Sequence, residues 1–160
     1  MNSPQQTDPA VMPGSYCFEE SVGFLLGRLK GRMSAALEEE LVGMDITHAQ
    51  WVVLVRIANG MGHTCAELSR GFGQDTGAMT RMLDRLEEKQ LVVRERSVED
   101  RRVVAIRLTP VGEALYPQLL AAGKRMTARM TSGFEADEID LFRRMLRRML
   151  GNLGITEVTP

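Results

Sequence analysis

The 160-residue sequence contains few aromatic residues and cysteines, and it has almost no excess of charge of one sign. Aromatic residues make up 5% of the chain, so aliphatic side chains and 11 methionines must fill the core; methionine suits irregular, deformable packing. Two cysteines are too few for a disulfide framework and indicate a reducing compartment, with the cytoplasm as the expected location. A net charge of -1 argues against coating of nucleic acid by bulk charge but does not exclude a locally basic binding face.

A long apolar run is also missing. The longest dense stretch, from Trp51 to Val55, is far shorter than the roughly 20 residues needed to cross a bilayer, so no membrane insertion is expected. The first residues, MNSPQQTDPAVMPGS, lack a cationic segment followed by an apolar one and are not typical of a secretory signal. We predict a flexible arm over residues 1–16 and a single domain over 17–160.

Helical periodicity dominates the sequence. Apolar residues recur at three- and four-residue steps from Phe18 to Leu41, where Gly43 is expected to stop a long first helix. Two capping boxes then predict the starts of a second and a third helix, and Gly71-Phe-Gly73 is expected to break the third. Asp75 is a suitable cap for a fourth helix. The boxes are Thr47-His-Ala-Gln50 and Thr64-Cys-Ala-Glu67, and the apolar stripe of the fourth helix is Ala78, Met79, Met82, Leu83 and Leu86.

A β-hairpin follows the fourth helix. Residues 91–96 and 103–108 are rich in Val and Ile, and the charged connection 97–102 is expected to project into solvent. Thr109-Pro110 predicts the start of a fifth helix, which Pro117 should bend or shift, and a sixth helix follows Gly133. The predicted fold is mainly α with a small β-hairpin wing: a winged helix-turn-helix over about 46–109, with N- and C-terminal dimerisation helices over about 17–42 and 110–153.

The fourth helix carries the candidate DNA-reading residues opposite its apolar stripe. Arginine offers a planar fork of donors that matches guanine O6 and N7, and threonine can bond a base or contact a thymine methyl. The alternative is a solvated face on which Asp84 and Glu88 pair with the arginines. The predicted reading set is Thr76, Gly77, Thr80, Arg81 and Arg85.

Three separated segments resemble the MarR family of bacterial transcriptional regulators. They are DITHAQW (45–51), DTGAMTRMLDRL (75–86) and EDRRVVAIRLT (99–109), and the resemblance extends from Phe18 to about Leu153. It implies a sequence-specific regulator of double-stranded DNA that acts as a repressor, with no enzymatic activity, cofactor or metal. The family usually has Gly where this chain has Gln90, so a left-handed helix end there is expected to be less favourable.

The resemblance also implies wing contacts and a dimer. Arg102 matches the arginine that enters the minor groove and Asp100 the residue that directs it, while Arg101 and Arg94 are expected to contact phosphate. The alternative is a charged turn that keeps the hairpin edge soluble. Interlocked terminal helices imply a homodimer on an inverted-repeat operator with half-sites about 34–36 Å apart.

Family members often release DNA on binding a small aromatic carboxylate or phenolic effector. Such a ligand needs an apolar slot with a cationic anchor. Two arginines one turn apart on the first helix could provide the anchor; the alternative assigns the apolar members to the ordinary core. The predicted ligand set is Arg28, Arg32, Met33, His48, Trp51 and Val55.

Other readings stay open at this point. A thiol-based redox regulator would use Cys17 or Cys65, although the family's hydroperoxide sensors place their cysteine at the position of Gly23 and tyrosines at those of Gly27 and Leu37. Two histidines and two cysteines at no ligand-like spacing do not predict a metal site. An enzyme built on Cys65 and His63 lacks a third, orienting group. A helical interaction protein that does not bind DNA would not need the charged hairpin.

Overall fold

The computed structural model describes residues 17–73, 75–96 and 103–155. The predicted order of helices and hairpin is confirmed, while the predicted arm 1–16 and the hairpin tip 97–102 lie outside the described residues. A short 3-10 turn, Phe18–Glu20, precedes the first helix. The elements are α1 (Val22–Glu40), α2 (His48–Ala58), α3 (Cys65–Phe72), α4 (Thr76–Glu88), β1 (Val92–Arg96), β2 (Val104–Leu108), α5 (Pro110–Met130) and α6 (Ala136–Asn152).

The predicted caps define most helix starts. The Thr47 hydroxyl accepts from the Gln50 N–H while the Gln50 side chain accepts from the Thr47 N–H, so the first capping box is complete. Thr64 and Glu67 form the second box in the same way. Because these bonds satisfy N–H groups that have no partner inside the helix, they fix the first turn from local sequence alone.

The structure tests two predictions about helix ends. The break expected at Gly71-Phe-Gly73 is confirmed, because α3 ends at Phe72 and its cap, Gly73, has a left-handed φ of 62°. The Arg56 guanidinium lies against Gly71, where a Cβ would come within 2.3 Å of Arg56 Nη2. α5 begins at Pro110 and runs through Pro117 without a shifted start. Pro117 has no N–H to donate, so the helix continues past it with one backbone hydrogen bond fewer.

α4 ends in the left-handed conformation at Gln90, although the sequence made this helix end less favourable than it is with glycine. Gln90 has φ 58°, its N–H donates to Glu87 O at 2.8 Å, and the Leu91 N–H donates to Leu86 O at 2.9 Å. This pair of bonds is a Schellman motif, a conformation that glycine adopts without the Cβ penalty.

Gln90→Gly is therefore expected to stabilise the protein by about 1 kcal/mol, because it removes that penalty while the backbone bonds remain. Chemical denaturation at fixed protein concentration measures the change. The matched control is Gly73→Gln, which places the same side chain in the left-handed position that ends α3 and should destabilise by a similar amount. A Gln90→Gly protein that unfolds at lower denaturant than wild type would contradict the assignment.

The core lies where α2, α3, α4 and the hairpin meet the middle of α5. The apolar stripe predicted for α4 packs inward, with Met79, Leu83 and Leu86 fully buried. The hairpin is tied to the helix-turn-helix because the Ile106 N–H donates to His63 O at 2.7 Å, directly before α3. Other fully buried residues are Leu37, Leu41, Val53, Leu54, Leu68, Val92, Ile106 and Leu119.

Ion pairs join α1 to α5 on the outside of this core. Arg125 Nε lies 2.6 Å from Glu40 Oε2, and Arg129 Nη1 lies 3.1 Å from Glu39 Oε2. The hydrogen bond from Arg125 lowers the pKa of Glu40 below its usual value near 4.5. A lowered carboxyl pKa stabilises the fold above the unfolded value, and that contribution is lost as the pH falls through the lowered pKa.

α6 buries none of its residues against the described part of its own chain. Its large apolar side chains face outward, with Phe142 40% and Met145 49% exposed. Monomeric proteins rarely leave so continuous an apolar face uncovered. Among the described residues, no helix combines the length and apolar character needed to span a membrane.

Candidate nucleic-acid interface

α4 presents the predicted reading face to solvent. The Asp75 carboxylate caps the helix by accepting from the Ala78 N–H at 2.9 Å, so the first turn is rigid. Within the described chain, Arg81 and Arg85 have no ion pair. The solvated-face alternative required pairing by Asp84 and Glu88, and Asp84 instead pairs with Arg94. The exposed positions are Thr76, Gly77, Thr80, Arg81 and Arg85.

Thr80 is held by its own helix and by α3. Its hydroxyl donates to Thr76 O at 2.8 Å, which leaves the oxygen lone pairs and the methyl group for an external partner. Cys65 Sγ lies 3.5 Å from Thr80 Oγ1 and 3.8 Å from Thr76 O. Cys65, the first residue of α3, therefore contacts the first turns of α4 next to Thr80.

Arg94 joins the hairpin to α4. Its guanidinium lies 2.7 Å from Asp84 Oδ1 and 2.6 Å from Glu87 Oε2, and it donates to Thr80 O at 3.2 Å. Its backbone N–H also donates to Glu87 Oε1. Burial of the guanidinium opposes its charge, but the two carboxylates outweigh this effect and raise the pKa of Arg94. A contact of Arg94 with phosphate stays a prediction. In the structure the Arg94 side chain links the hairpin to α4, a contact that the sequence did not predict; we call it the Arg94 brace.

Arg94→Met is expected to destabilise the protein by about 2 kcal/mol, because it leaves two carboxylates side by side without their hydrogen-bonded cation. Chemical denaturation of the variant measures this loss. The matched control is Arg107→Met, since Arg107 lies on the partner strand and meets Glu95 at 3.7 Å in an exposed pair. An exposed pair of that kind contributes about 0–1 kcal/mol, so equal losses in the two variants would refute the brace.

Three residues of the wing were predicted to contact DNA: Asp100, Arg101 and Arg102. They lie outside the described residues, so these contacts stay predictions. The strands below them are in register, with Val92 opposite Leu108 and Arg96 opposite Val104. Arg96 and Val104 form the last described pair before the segment 97–102.

The predicted ligand residues do not all line one cavity, although the ring centroids of His48 and Trp51 lie 6.5 Å apart. Arg28 lies 5.8 Å from the Phe24 ring centroid and lines a groove on α1. His48 Nδ1 is hydrogen-bonded to Ser34 Oγ at 2.7 Å, and Met33 packs against the core. Arg32 is exposed on α1 and lines neither described cavity. Only Trp51 and Val55 of the predicted set line a common cavity.

That cavity is a groove of about 430 Å³ between α2 and α5. Trp51 forms one wall; its indole N–H donates to Leu119 O at 2.7 Å, which fixes the ring. Gly123 allows this approach, because a Cβ there would lie 2.6 Å from the ring. Lys124 is the cationic residue of the groove, and it was not among the ligand residues predicted from the sequence. Its i, i+4 spacing from Leu120, which places both on one face of α5, was the signal that could have indicated it. The lining is Trp51, Val55, Leu120, Gly123, Lys124, Thr127, Ala128 and Thr131.

The two cysteines and the acidic groups offer no metal site among the described residues. Cys17 and Cys65 are free thiols. The hydrogen-bond contacts of the Cys65 thiol are with α4, and no hydrogen bond joins Cys65 to His63 in the described part of the chain.

An exposed arginine-bearing helix, capped at its start and braced to a two-stranded hairpin, defines a winged helix-turn-helix protein that binds DNA. Comparison with known proteins gives the family. The MarR family model matches residues 46–104. The multiple antibiotic resistance protein MarR of Escherichia coli K12 is 34% identical over 130 residues, which cover 81% of this chain and 90% of that protein. The chain belongs to the MarR family and is a DNA-binding transcription regulator.

Solved structures agree with this assignment. A cysteine-to-serine mutant of E. coli MarR complexed with operator DNA has a TM-score of 0.74 at 34% identity, covering 85% of this chain and 99% of that one. BpsR of Bordetella bronchiseptica, whose DNA binding is regulated by 6-hydroxynicotinic acid, has a TM-score of 0.75 at 27% identity, with coverage of 85% and 97%.

Proposed function

We propose that this regulator is a repressor, which binds an inverted-repeat operator as a homodimer in the bacterial cytoplasm and releases it on binding a small aromatic or phenolic acid. The exposed face of α4 carries the proposal, because Arg81 and Arg85 have no ion pair in the described part of the chain. The complex of an E. coli relative with operator DNA supports the same use of the fold.

The reading roles are divided by chemistry. Arg81 and Arg85 present guanidinium forks to guanine edges or phosphates, and Thr80 offers its oxygen and methyl to a base. Gly77 lets the backbone approach the duplex, and Thr76 lies in the first turn, where free N–H groups suit a phosphate. Arg101 and Arg102, directed by Asp100, would serve the minor groove and the adjacent phosphate.

The homodimer is supported by the uncovered apolar face of α6. In this scheme residues 46–109 form the DNA-binding part, while 17–42 and 110–153 supply the dimer contacts. Two-fold symmetry would place the two copies of α4 one helical turn of DNA apart, about 34–36 Å.

A gel shift with the DNA upstream of the chain's own gene, at stated salt, tests the function. Specific binding is expected at about 10⁻⁸ M or tighter near physiological salt. The control is the same DNA with one half of the inverted repeat scrambled, which should weaken binding to the level of random sequence. A protein that binds scrambled and intact sites equally would not be a sequence-specific repressor. In a reporter strain, deletion of its gene should raise expression from that promoter.

The groove between α2 and α5 is the proposed effector site. Its volume suits a small ligand, the fixed Trp51 ring supplies a planar wall, and Lys124 supplies a cation with no ion pair within the described residues. The regulation of BpsR by 6-hydroxynicotinic acid supports an aromatic acid of this size. A ligand held between α2 and α5 could alter how the DNA-binding part sits on the terminal helices.

Calorimetry with salicylate, 4-hydroxybenzoate and 6-hydroxynicotinate tests this site. Lys124→Met is expected to weaken binding by about tenfold or more, the effect of one charge-assisted hydrogen bond. The control is Lys30→Met, which removes an equal charge from the exposed face of α1. If Arg28→Met abolishes binding and Lys124→Met does not, the anchor predicted from sequence is right and the groove is wrong. No heat with any acid would refute the effector.

The contact of Cys65 with Thr80 favours a thiol switch as a second candidate. Oxidation of Cys65 would add bulk beneath the reading face. If this candidate is correct, peroxide should abolish DNA binding by wild-type protein and by the Cys17→Ser control, but not by Cys65→Ser. Equal loss in all three proteins would refute it.

A further inference from the structure

The turn between α1 and α2 connects the proposed dimerisation helices to the DNA-binding part. It contains Gly43, with a left-handed φ of 86°, and Asp45, with a left-handed φ of 54°. Glycine adopts this backbone freely, whereas another residue does so at a cost and persists there where its surroundings hold it. Aspartate tolerates the conformation better than most residues, but it does not favour it. The bend at Asp45 therefore needs a contact that holds it.

That contact comes from the end of α4. The Lys89 ammonium donates to the backbone carbonyl oxygen of Asp45 and lies 3.0 Å from Asp45 Oδ2. Lys89 is the C-terminal cap of α4, where its N–H donates to Arg85 O at 3.2 Å. The Lys89 side chain is 28% exposed and the Asp45 side chain 89%. Because so exposed an ion pair contributes little, the bond to the carbonyl is the main hold on the turn.

The same ammonium reaches the start of α2. It lies 3.4 Å from Oε1 of the buried Gln50, the oxygen that also accepts from the Thr47 N–H in the capping box. In the first turn of the same helix, the His48 N–H donates to Glu38 Oε1 at 2.8 Å, and His48 Nδ1 lies 2.7 Å from Ser34 Oγ. Glu38 and Ser34 belong to α1. Polar contacts thus connect the end of α4, through the first turn of α2, to α1.

We propose that Lys89 is a positioning residue for operator binding, which sets the position of α4 relative to α1 through Asp45 and Gln50. In a dimer held by its terminal helices, the distance and angle between the two copies of α4 depend on how each α4 sits on its own α1. A protein that fixes this position in advance loses less conformational freedom when both half-sites are bound. This inference rests on the proposed homodimer and inverted-repeat operator, and it specifies the contact that matches one to the other.

The spacing between half-sites gives a readout that a direct contact with DNA would not change. One inserted base pair shifts a half-site by about 3.4 Å and rotates it by roughly 35°. Lys89→Met keeps a long side chain but cannot hold the Asp45 carbonyl, so we expect binding to the best-spaced operator to weaken about tenfold. The penalty for the inserted base pair should be at least about threefold smaller than in wild type, because α4 is less constrained.

Fluorescence anisotropy with the two operators measures both effects. Asp45→Asn is the matched control, since asparagine tolerates the left-handed backbone and keeps the carbonyl that Lys89 contacts; it should bind both operators within about twofold of wild type. Lys89→Gln, whose side chain is one bond shorter, should repeat the result if the methionine variant does not fold. Equal weakening on both operators with a shallower salt dependence would mean that Lys89 contacts a phosphate, and this or unchanged binding would overturn the inference.

The position of α4 can also be measured without DNA. In a Cys17→Ser, Cys65→Ser background, spin labels on Arg81→Cys report the distance between the two copies of α4 by pulsed electron paramagnetic resonance. We expect a narrow distribution that Lys89→Met broadens and Asp45→Asn leaves narrow. An equally narrow distribution in all three proteins would overturn the role of Lys89 alone. A chain that sediments as a monomer and gives no distance between copies would overturn the proposed homodimer as well.

Discussion

Arg81→Ala protein is expected to bind operator DNA at least about 30-fold more weakly than wild type. A bidentate contact to guanine contributes about 1–3 kcal/mol, and a dimer would lose two of them. Arg81 is exposed at the centre of the α4 face, and no ion pair within the described chain would have to break before it reaches a base.

Fluorescence anisotropy with a labelled operator at one salt concentration measures this loss. The matched control is Arg32→Ala, which removes the same charge from an exposed position on α1, away from α4. Equal weakening in both variants would mean that net charge, and not a contact of Arg81, sets the affinity. If Arg81 contacts a base, the variant should also discriminate less between intact and mutated half-sites.

Gly112→Ala is expected to lower the free energy of unfolding by about 3 kcal/mol, at the upper end of the usual cost of overpacking. A Cβ at Gly112 would lie 2.2 Å from the Leu91 carbonyl oxygen, which is backbone and cannot rotate away. The first turn of α5 would have to move off the start of the hairpin, and the Thr109 bond to Leu91 O would be strained.

Denaturant titration at fixed protein concentration compares Gly112→Ala with Gly151→Ala. Gly151 is also helical, but a Cβ there meets nothing, so alanine should be neutral or stabilising by about 0.5–1 kcal/mol. If both alanines have the same effect, the close approach of α5 to Leu91 is not as the structure has it.

Local patterns predicted most of the fold. Thr47, Thr64 and Asp75 cap their helices as expected, because the bonds they make reach only three residues along the chain. The left-handed end of α4 was less certain from sequence, because Gln90 stands where glycine is favoured. The end of α3 within Gly71-Phe-Gly73 was also predicted, but the contact of the Arg56 guanidinium with Gly71 was not, because the two residues are distant in the sequence.

Only those parts of the candidate site that depend on local sequence could be predicted. The exposed face of α4 follows from its apolar stripe, since helical periodicity places the remaining residues outward. The brace at Arg94 could not be found this way, because Asp84 and Glu87 meet it only after the hairpin has folded against α4. Arg28 and Trp51 were predicted to share one slot, but they line separate cavities.

Trp51 is the sole tryptophan of the sequence and lies in the wall of the α2–α5 groove, fixed by its bond to Leu119 O. All tryptophan emission therefore comes from the place where the DNA-binding part meets α5. An aromatic acid stacked in the groove would quench that emission, while unfolding would shift it to longer wavelength as the indole enters water. The protein thus carries an intrinsic optical probe that can distinguish ligand occupancy from loss of structure without any label.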